Sequence, residues 1–385
     1  MFADLLNFRS GPDTAYPYLR RPLEIDTRVE PLARSLETFE QWLWVRVEDT
    51  GELGWVSEEW VDCNLDIDTL PIPPVQLPPN LAPITPLQVE SLHVSLTDPD
   101  RLYVLVANGP GPLWLLRATA VQILTSSDLG ETWEEGPTDL PVPSDCIIDI
   151  TLDSNADDGV YASTCQGIYF WSEDRWVKRS DIVTNVLSAV KGKPDVFWAA
   201  EPWRTVVRSD DGGINWRDAS AGLVHFGGIA NLLLDPSDPD ILFSIIRPKF
   251  AGSYLRRGID DGRWSTLPTP NDNETIETGM VIDGETGDLY VTTMSAPAQL
   301  WRSTNPNAPD PEFVTWDLVQ NLGSDVHVRL LGASQTSDGL VLFANIHPLT
   351  PFEDLPGATI GYPQLHRSLD GGETWEPLDV PVGRN

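Results

Sequence analysis

An all-β chain is predicted, a small unit of short strands followed by a ring of repeated four-stranded units, and three observations predict it. Across 385 residues, 34 prolines and 29 glycines bound short apolar runs such as LYVLVA, LYVTT and VLFAN, the pattern of strands joined by frequent turns. Long amphipathic helical periods are missing. The phrase SSDLGETWEE at 126–135 returns as RSLDGGETWEPL at 367–378, and a phrase that returns at blade-length intervals marks a repeat architecture.

The first unit is expected over residues 1–62. Ser10-Gly11-Pro12 supplies a tight turn, WLWVRV at 42–47 alternates large apolar with polar positions, and EDTGELGW reverses the chain at Gly51. Leu6, Asn7, Arg9, Ser10, Gly11 and Pro12, then Tyr16 and Pro17, then Gly54, Trp55, Val56 and Ser57 resemble the bacterial SH3-like domain. The match runs over 5–62 and departs from the family at Pro22, Glu24 and Asp26, where Gly before Thr is common. The resemblance implies a small SH3-like barrel that binds cell-wall peptides or serves as a targeting module. Tyr16, Tyr18, Trp42, Trp44 and Trp60 either form an aromatic ligand groove or fill a core too small to do without them. Residues 63–87, with Cys63 at their start, carry prolines every few positions, which predicts an extended, semi-rigid linker.

The repeats occupy residues 88–385. Three stretches fit Ser-x-Asp-x-Gly-x-(Thr/Asn)-Trp: Ser126, Asp128, Gly130, Thr132, Trp133; Ser209, Asp211, Gly213, Asn215, Trp216; and Ser368, Asp370, Gly372, Thr374, Trp375. They resemble the Asp box, or BNR repeat, of sialidases, sortilin-type receptors and photosystem assembly propellers. Degenerate copies end at Trp176, Trp264 and Trp316, so the six tryptophans are spaced by 43, 40, 48, 52 and 59 residues. Ahead of each lies an apolar strand, an acidic or glycine turn and a second apolar strand. Six hairpins before six boxes predict six four-stranded blades, strands A to D in each, stacked as a six-bladed β-propeller because a lone blade exposes both faces. In the turn between C and D, the Ser and Asp side chains can satisfy backbone N–H groups, Gly supplies positive φ and Trp covers the base. The box is therefore read as a structural device, placed on the same face as the A–B turns.

Chemistry is expected on the opposite rim, built from B–C and D–A connections. Four long stretches there, 107–120, 199–206, 245–257 and 344–365, are aromatic or basic, as binding loops on a rigid scaffold often are. Trp203, Arg204, Arg247, Lys249 and Tyr254 belong to adjacent blades and are the candidate ligand-binding residues; the alternative is that they pack loops and pair with nearby carboxylates. No catalytic residue is assigned. A sialidase needs an Arg-Ile-Pro phrase before the first box and a set of arginines, Tyr, Glu and Asp around the substrate; no such phrase precedes Ser126, and IIRPKF at 245–250 lies in the wrong blade.

Composition narrows the partners. A net charge of −33 disfavours nucleic acid and anionic lipid, and no apolar run is long enough for membrane insertion. No cofactor and no metal are expected. His93, His225, His327, His347 and His366 are dispersed; His93 and His327, on neighbouring inner strands, either meet near the channel or are ordinary strand histidines. Cys146 and Cys165 flank a hairpin whose register, with Leu152 opposite Gly159, brings them face to face, as a disulfide or as two buried thiols. The chain shows no signal peptide, and Met1 falls almost on the first strand. The expectation is a non-enzymatic extracellular or cell-surface protein that binds a glycan, cell-wall or protein ligand, with a sialidase-like glycoside hydrolase of divergent site as the alternative.

Overall fold

Among the described residues the structure has thirty short strands, the longest of 11 residues. The structure is a computed structural model that describes residues 5–6, 23–24, 27–34, 42–58, 61, 67–71, 87–95, 97–108, 121–142, 147–153, 159–172, 174–201, 205–223, 227–229, 231–236, 238, 240–248, 254–258, 263–270, 276–293, 297–323, 326–348 and 364–381.

In the N-terminal unit, β1 (Leu5–Leu6) pairs with β2 (Leu23–Glu24), and β3 (Val29–Arg34), β4 (Trp42–Val47) and β5 (Leu53–Ser57) form an antiparallel sheet. Alternation along β4 sends Leu43, Val45 and Val47 into a core shared with Leu23 and Val56. Gly51 turns the β4–β5 hairpin at φ +72°. Trp42 is buried and Trp44 packs on Trp55 with ring centroids 5.4 Å apart, so these two aromatics serve packing; Tyr16, Tyr18 and Trp60 lie outside the described residues. The start of the expected linker also covers this small core. Ile67 and Leu70, in and after a 3-10 turn at Ile67–Thr69, pack against it, and Arg34 N donates to Pro71 O at 3.1 Å.

The remaining strands form six sheets of consecutive antiparallel strands. Blade 1 holds β6 (Leu87–Val94), β7 (Leu102–Asn108), β8 (Val121–Ser126) and β9 (Glu134–Glu135). Blade 2 holds β10 (Ile147–Leu152), β11 (Val160–Thr164), β12 (Gly167–Ser172) and β13 (Arg175–Ser180), and blade 3 β14 (Val186–Val190), β15 (Lys193–Ala200), β16 (Val206–Ser209) and β17 (Arg217–Asp218). Blade 4 comprises β18 (Gly227–Ile229), β19 (Leu233–Leu234), β20 (Leu242–Pro248), β21 (Tyr254–Gly258) and β22 (Trp264–Thr266). Blade 5 comprises β23 (Ile276–Ile282), β24 (Leu289–Thr293), β25 (Ala298–Ser303) and β26 (Asp317–Gly323), and blade 6 β27 (Val326–Thr336), β28 (Gly339–Pro348), β29 (Gln364–Ser368) and β30 (Glu376–Pro377). The inner strands touch in a closed circuit, β6 to β10, β14, β19, β23, β27 and back to β6. The sheets are therefore the blades of a propeller.

Each seam between blades has its own apolar cluster, and the second strands explain why they read as unbroken apolar runs. In β7, Leu102, Val104 and Val106 face blade 6, whereas Tyr103, Leu105 and Ala107 face blade 2. A strand buried on both faces has no solvent side to mark with polar residues. The last seam, between blades 6 and 1, is closed without a shared strand. Val341, Phe343, Leu365 and Leu378 pack on Val89, Leu92, Leu102 and Val104, Asn345 Nδ2 donates to Val89 O at 2.7 Å, and Ser334 Oγ to Pro99 O at 2.5 Å.

Two local departures from expectation have physical causes. In the β10–β11 hairpin Leu152 lies opposite Val160, not Gly159, and a register shift between Ile147 and Asp149 restores Ile147 opposite Thr164. That end of the ladder points the next pair at Cys165, which is disulfide-bonded; Cys146 lies outside the described residues. In blade 4 the inner strand is broken into β18 and β19, both paired with β20. Asn231 stands in the break: its Oδ1 accepts Ile245 N at 3.0 Å and its Nδ2 donates to Met280 O at 3.5 Å, so the side chain replaces a missing ladder bond and reaches blade 5.

Candidate functional site

The three complete boxes form the same hydrogen-bonded turn. Ser126 Oγ accepts from Gly130 N at 2.8 Å and donates to Asp128 Oδ1 at 2.8 Å, while Asp128 Oδ1 accepts Thr132 N at 2.8 Å. The network repeats with Ser209, Asp211, Gly213 and Asn215, and with Ser368, Asp370, Gly372 and Thr374. Hydrogen bonds from the Thr374 side chain and then its backbone N–H hold the Asp370 carboxyl down to about 2, and donors of the same kind lower Asp128 and Asp211. These carboxylates are committed to their turns. The tryptophans differ in their partners. Trp216 and Trp375 donate within their own turns, to Gly213 O and Gly372 O, Trp216 also to Ser180 Oγ of the preceding blade at 3.3 Å, and Trp133 Nε1 is buried without a hydrogen-bond partner. Trp176, Trp264 and Trp316, from the degenerate copies, donate instead to Thr138 O, Ala219 O and Pro268 O of the preceding blade.

The opposite rim carries two long B–C connections. β7 and β8 are joined by residues 109–120, and β28 and β29 by 349–363, both on blades that meet at the last seam. Elsewhere on this rim, 201–205 and 249–253 join strands of blades 3 and 4. Of the predicted binding residues, Trp203, Arg204 and Lys249 lie outside the described residues. The backbones of Arg247 and Tyr254 stand at the same end of blade 4, Arg247 opposite Gly228 and Tyr254 opposite Ile246.

A polar cluster missed by motif searching lies on three neighbouring inner strands. In β6, a register shift between Val89 and Ser91 inserts Glu90 as the extra residue. Arg329 of β27 stands between Val328 and Leu330, which pack toward blade 5, and alternation turns it toward blade 1 and Glu90. Burial pushes the Glu90 carboxyl up to about 7, opposed by the Arg329 charge and by a 2.6 Å hydrogen bond from Gln88. His93 turns away from blade 6. Leu92 and Val94 face blade 6, so His93 faces blade 2, where Nε2 lies 3.4 Å from Asp149 Oδ1. The His327 side chain is outside the described residues, and no metal-holding group of His, Cys, Asp or Glu occurs among those described. Ser91 Oγ, His93 Nε2 and Arg329 Nε are buried without a hydrogen-bond partner.

At 7 % exposure Glu90 is closed to a substrate, so its titration bears on stability. Its folded pKa lies above its unfolded value, so the folded state binds more protons between about pH 4.5 and 7 and stability falls as pH rises through that window. The loss is on the order of 3 kcal/mol at most. Glu90→Gln is expected to flatten this slope and to melt above wild type at pH 8. Parallel slopes for the two proteins in a pH series of urea titrations would show that Glu90 ionises without cost.

A series of arginines was legible but unmarked: Arg208, Arg302 and Arg367 each precede the box serine or its equivalent. Arg208 crosses from blade 3 to blade 4, its Nη1 2.5 Å from Asp240 Oδ1. Arg367 crosses from blade 6 to blade 1, where it donates to Leu129 O at 3.0 Å and pairs with Glu131, while its Nε holds Glu376 of its own blade at 2.7 Å. Arg302 stays at home: its Nε lies 2.7 Å from Asp288 Oδ2 and its guanidinium 5.8 Å from the Tyr290 ring centre. The reason is one residue. The second strands pair Phe197, Leu289 and Leu342 with the three serines, and the residue before each is Val196, Asp288 and Val341. Arg208 and Arg367 also hold a carboxylate of their own blade, Asp210 and Glu376, through Nε, but of these three blades only in blade 5 does the held carboxylate come from the second strand.

No family model matches the chain, and no curated protein matches it. Among solved structures it is similar to YCF48 from Cyanidioschyzon merolae, at 17% identity and TM-score 0.48 over 78% of this chain and 88% of that one. It is similar to YCF48 bound to D1 peptide, at 17% identity and TM-score 0.47 over 78% and 84% of the two chains. It is also similar to an auxiliary nutrient binding protein from Bacteroides thetaiotaomicron, at 9% identity and TM-score 0.43 over 80% of each. These neighbours include β-propeller proteins.

Proposed function

We propose that the protein is a non-enzymatic binding protein outside the cytoplasm or at the cell surface, with the rim of the B–C connections as its recognition surface for a protein segment or glycan. The N-terminal unit acts as an SH3-like module that attaches the ring to a cell wall or a partner. One observation carries the reading: the two longest B–C connections belong to adjoining blades, 1 and 6. Residues 109–120 and 349–363 extend from blades 1 and 6, which adjoin, and include Trp114, Leu116, Phe352, Ile360 and Tyr362. Long aromatic connections on a rigid ring cost folding entropy that packing of the ring does not require, and binding is the usual return. Arg247, Lys249, Trp203, Arg204 and Tyr254 would extend this surface across blades 3 and 4. The disulfide at Cys165 supports an oxidising compartment.

The test is an array of glycans, peptidoglycan fragments and peptides probed with the whole protein, beside a fluorogenic sialoside and glycoside turnover panel. Binding without turnover is expected, and Arg247→Ala is expected to weaken it roughly tenfold. Turnover that survives purification would replace this reading by the hydrolase one.

A further inference from the structure

Arg208, Arg302 and Arg367 each hold a carboxylate at ion-pair distance. Arg329 does not. It is half-buried on the innermost strand of blade 6, and among the described residues no ion pair and no hydrogen bond reaches it. Glu90 is near enough to feel its charge but takes a hydrogen bond from Gln88 instead. A half-buried guanidinium without a counter-charge is costly, and the chain has a surplus of carboxylates, at net charge −33, from which one could have been supplied. The fold does not require an arginine here. Three residues on from the partner of each box serine, the facing inner-strand residue is Arg329 in blade 6, Ser91 in blade 1 and Val186 in blade 3. Asn345, which pairs with Arg329, donates to Val89 O, so the arginine lies level with the β6 bulge. It stands three residues in from the rim end of β27, or ~10 Å along the strand. Its Nε is closed off, so the head can be reached only end on, through Nη1 and Nη2, from the channel that the inner strands enclose.

We propose that the channel binds a small monocarboxylate, whose two oxygens accept from Nη1 and Nη2 of Arg329. Paired N–H donors in a fixed plane match the two oxygens of a carboxylate. The field of the chain at −33, with Asp149 on the inner strand β10, opposes every further negative charge. A singly charged anion is therefore admitted where a doubly charged one is turned away. The site lies inside the ring and uses none of the B–C connections, so it and the rim surface proposed above can fail separately.

The probes are acetate and lactate, with chloride and sulfate as comparisons, added to the whole protein at constant ionic strength. Binding is read from NMR line broadening of the isotope-labelled acids and from the melting temperature, which a ligand of the folded state raises. Both acids are expected to bind, and chloride and sulfate to compete poorly. Arg329→Gln should weaken acetate roughly tenfold or more and, without anion, melt no lower than wild type, since it removes an unpaired charge. A purely structural arginine would show the reverse, a lowered melting temperature with acetate binding unchanged, and that result would overturn the site. Arg28→Gln, at an exposed arginine of the N-terminal unit, should leave acetate binding as it was; equal weakening by it, or equal protection by chloride or sulfate, would reduce the effect to general anion attraction. Should Arg329→Gln fail to fold, Arg329→Lys keeps the charge without the paired donors, and unchanged acetate affinity in that variant would sink the proposal. Wild-type protein that binds neither acid would overturn it outright.

Discussion

Replacing Gly372 by alanine is expected to cost about 3–5 kcal/mol of stability, and the same replacement at Gly213 only about 1–2 kcal/mol. The two glycines hold the same place in the same turn, and both have positive φ, +105° and +84°. Their surroundings differ. A Cβ on Gly372 would fall 2.2 Å from Leu300 Cδ2, in the packed seam between blades 5 and 6, whereas one on Gly213 meets nothing closer than Trp216 at 3.6 Å. Gly213→Ala therefore carries backbone strain alone, and Gly372→Ala adds overpacking in an apolar cluster. Gly130, whose Cβ would lie 2.7 Å from Leu378 Cδ1, should fall between. Urea unfolding of the three variants checks the order, and equal losses would mean that the turn, not the seam, sets the requirement for glycine.

Arg367→Ala is the second large effect, a loss of about 2–4 kcal/mol. The side chain is 9 % exposed and connects Glu131 and Leu129 O of blade 1 to Glu376 of blade 6. Its removal strands Leu129 O and leaves two carboxylates facing one another across the seam that closes the ring. The half-exposed partners, at 62 % and 51 %, keep the loss below that of a fully buried pair. Arg46→Ala, which breaks an exposed pair with Glu30, should cost under about 1 kcal/mol. If calorimetry gives the two variants the same melting shift, the ring is closed by its apolar cluster alone.

Much of this architecture is legible in the sequence because the repeat carries it. The six tryptophans count the blades, and LYVLVA at 102–107 states that a strand has two buried faces. What escapes is decided by single residues whose meaning depends on a neighbour. The shift between Ile147 and Asp149 moves the hairpin register by one, and nothing in IIDITL marks where it occurs. Asn231 reads as an ordinary turn residue, yet its amide replaces a ladder bond in blade 4 and reaches Met280 O of blade 5. Strand adjacency left open whether His93 meets His327 or is an ordinary strand histidine; the direction of alternation, set by Leu92 and Val94, turns it toward blade 2. The arginines before the serines are visible as a pattern, but the carboxylate each meets is set by its neighbours, Asp288 for Arg302 and groups on both sides of the seam for Arg208 and Arg367. The rim residues Trp203, Arg204 and Lys249 belong to connections, where no periodicity constrains the side chain.

The absence of a strand shared between blades 6 and 1 has a consequence for how such a chain can be rearranged. Every ladder is completed by consecutive residues, so the ring has no compulsory beginning. A circular permutant opened in the connection at 324–325, with the old ends joined from 381 to 87, keeps all six sheets intact and alters only the order in which they are synthesised. By the same reasoning a whole blade is a unit that gene duplication can add or delete without cutting a ladder. The diameter of the ring, rather than its strand pairing, then limits how many blades it holds.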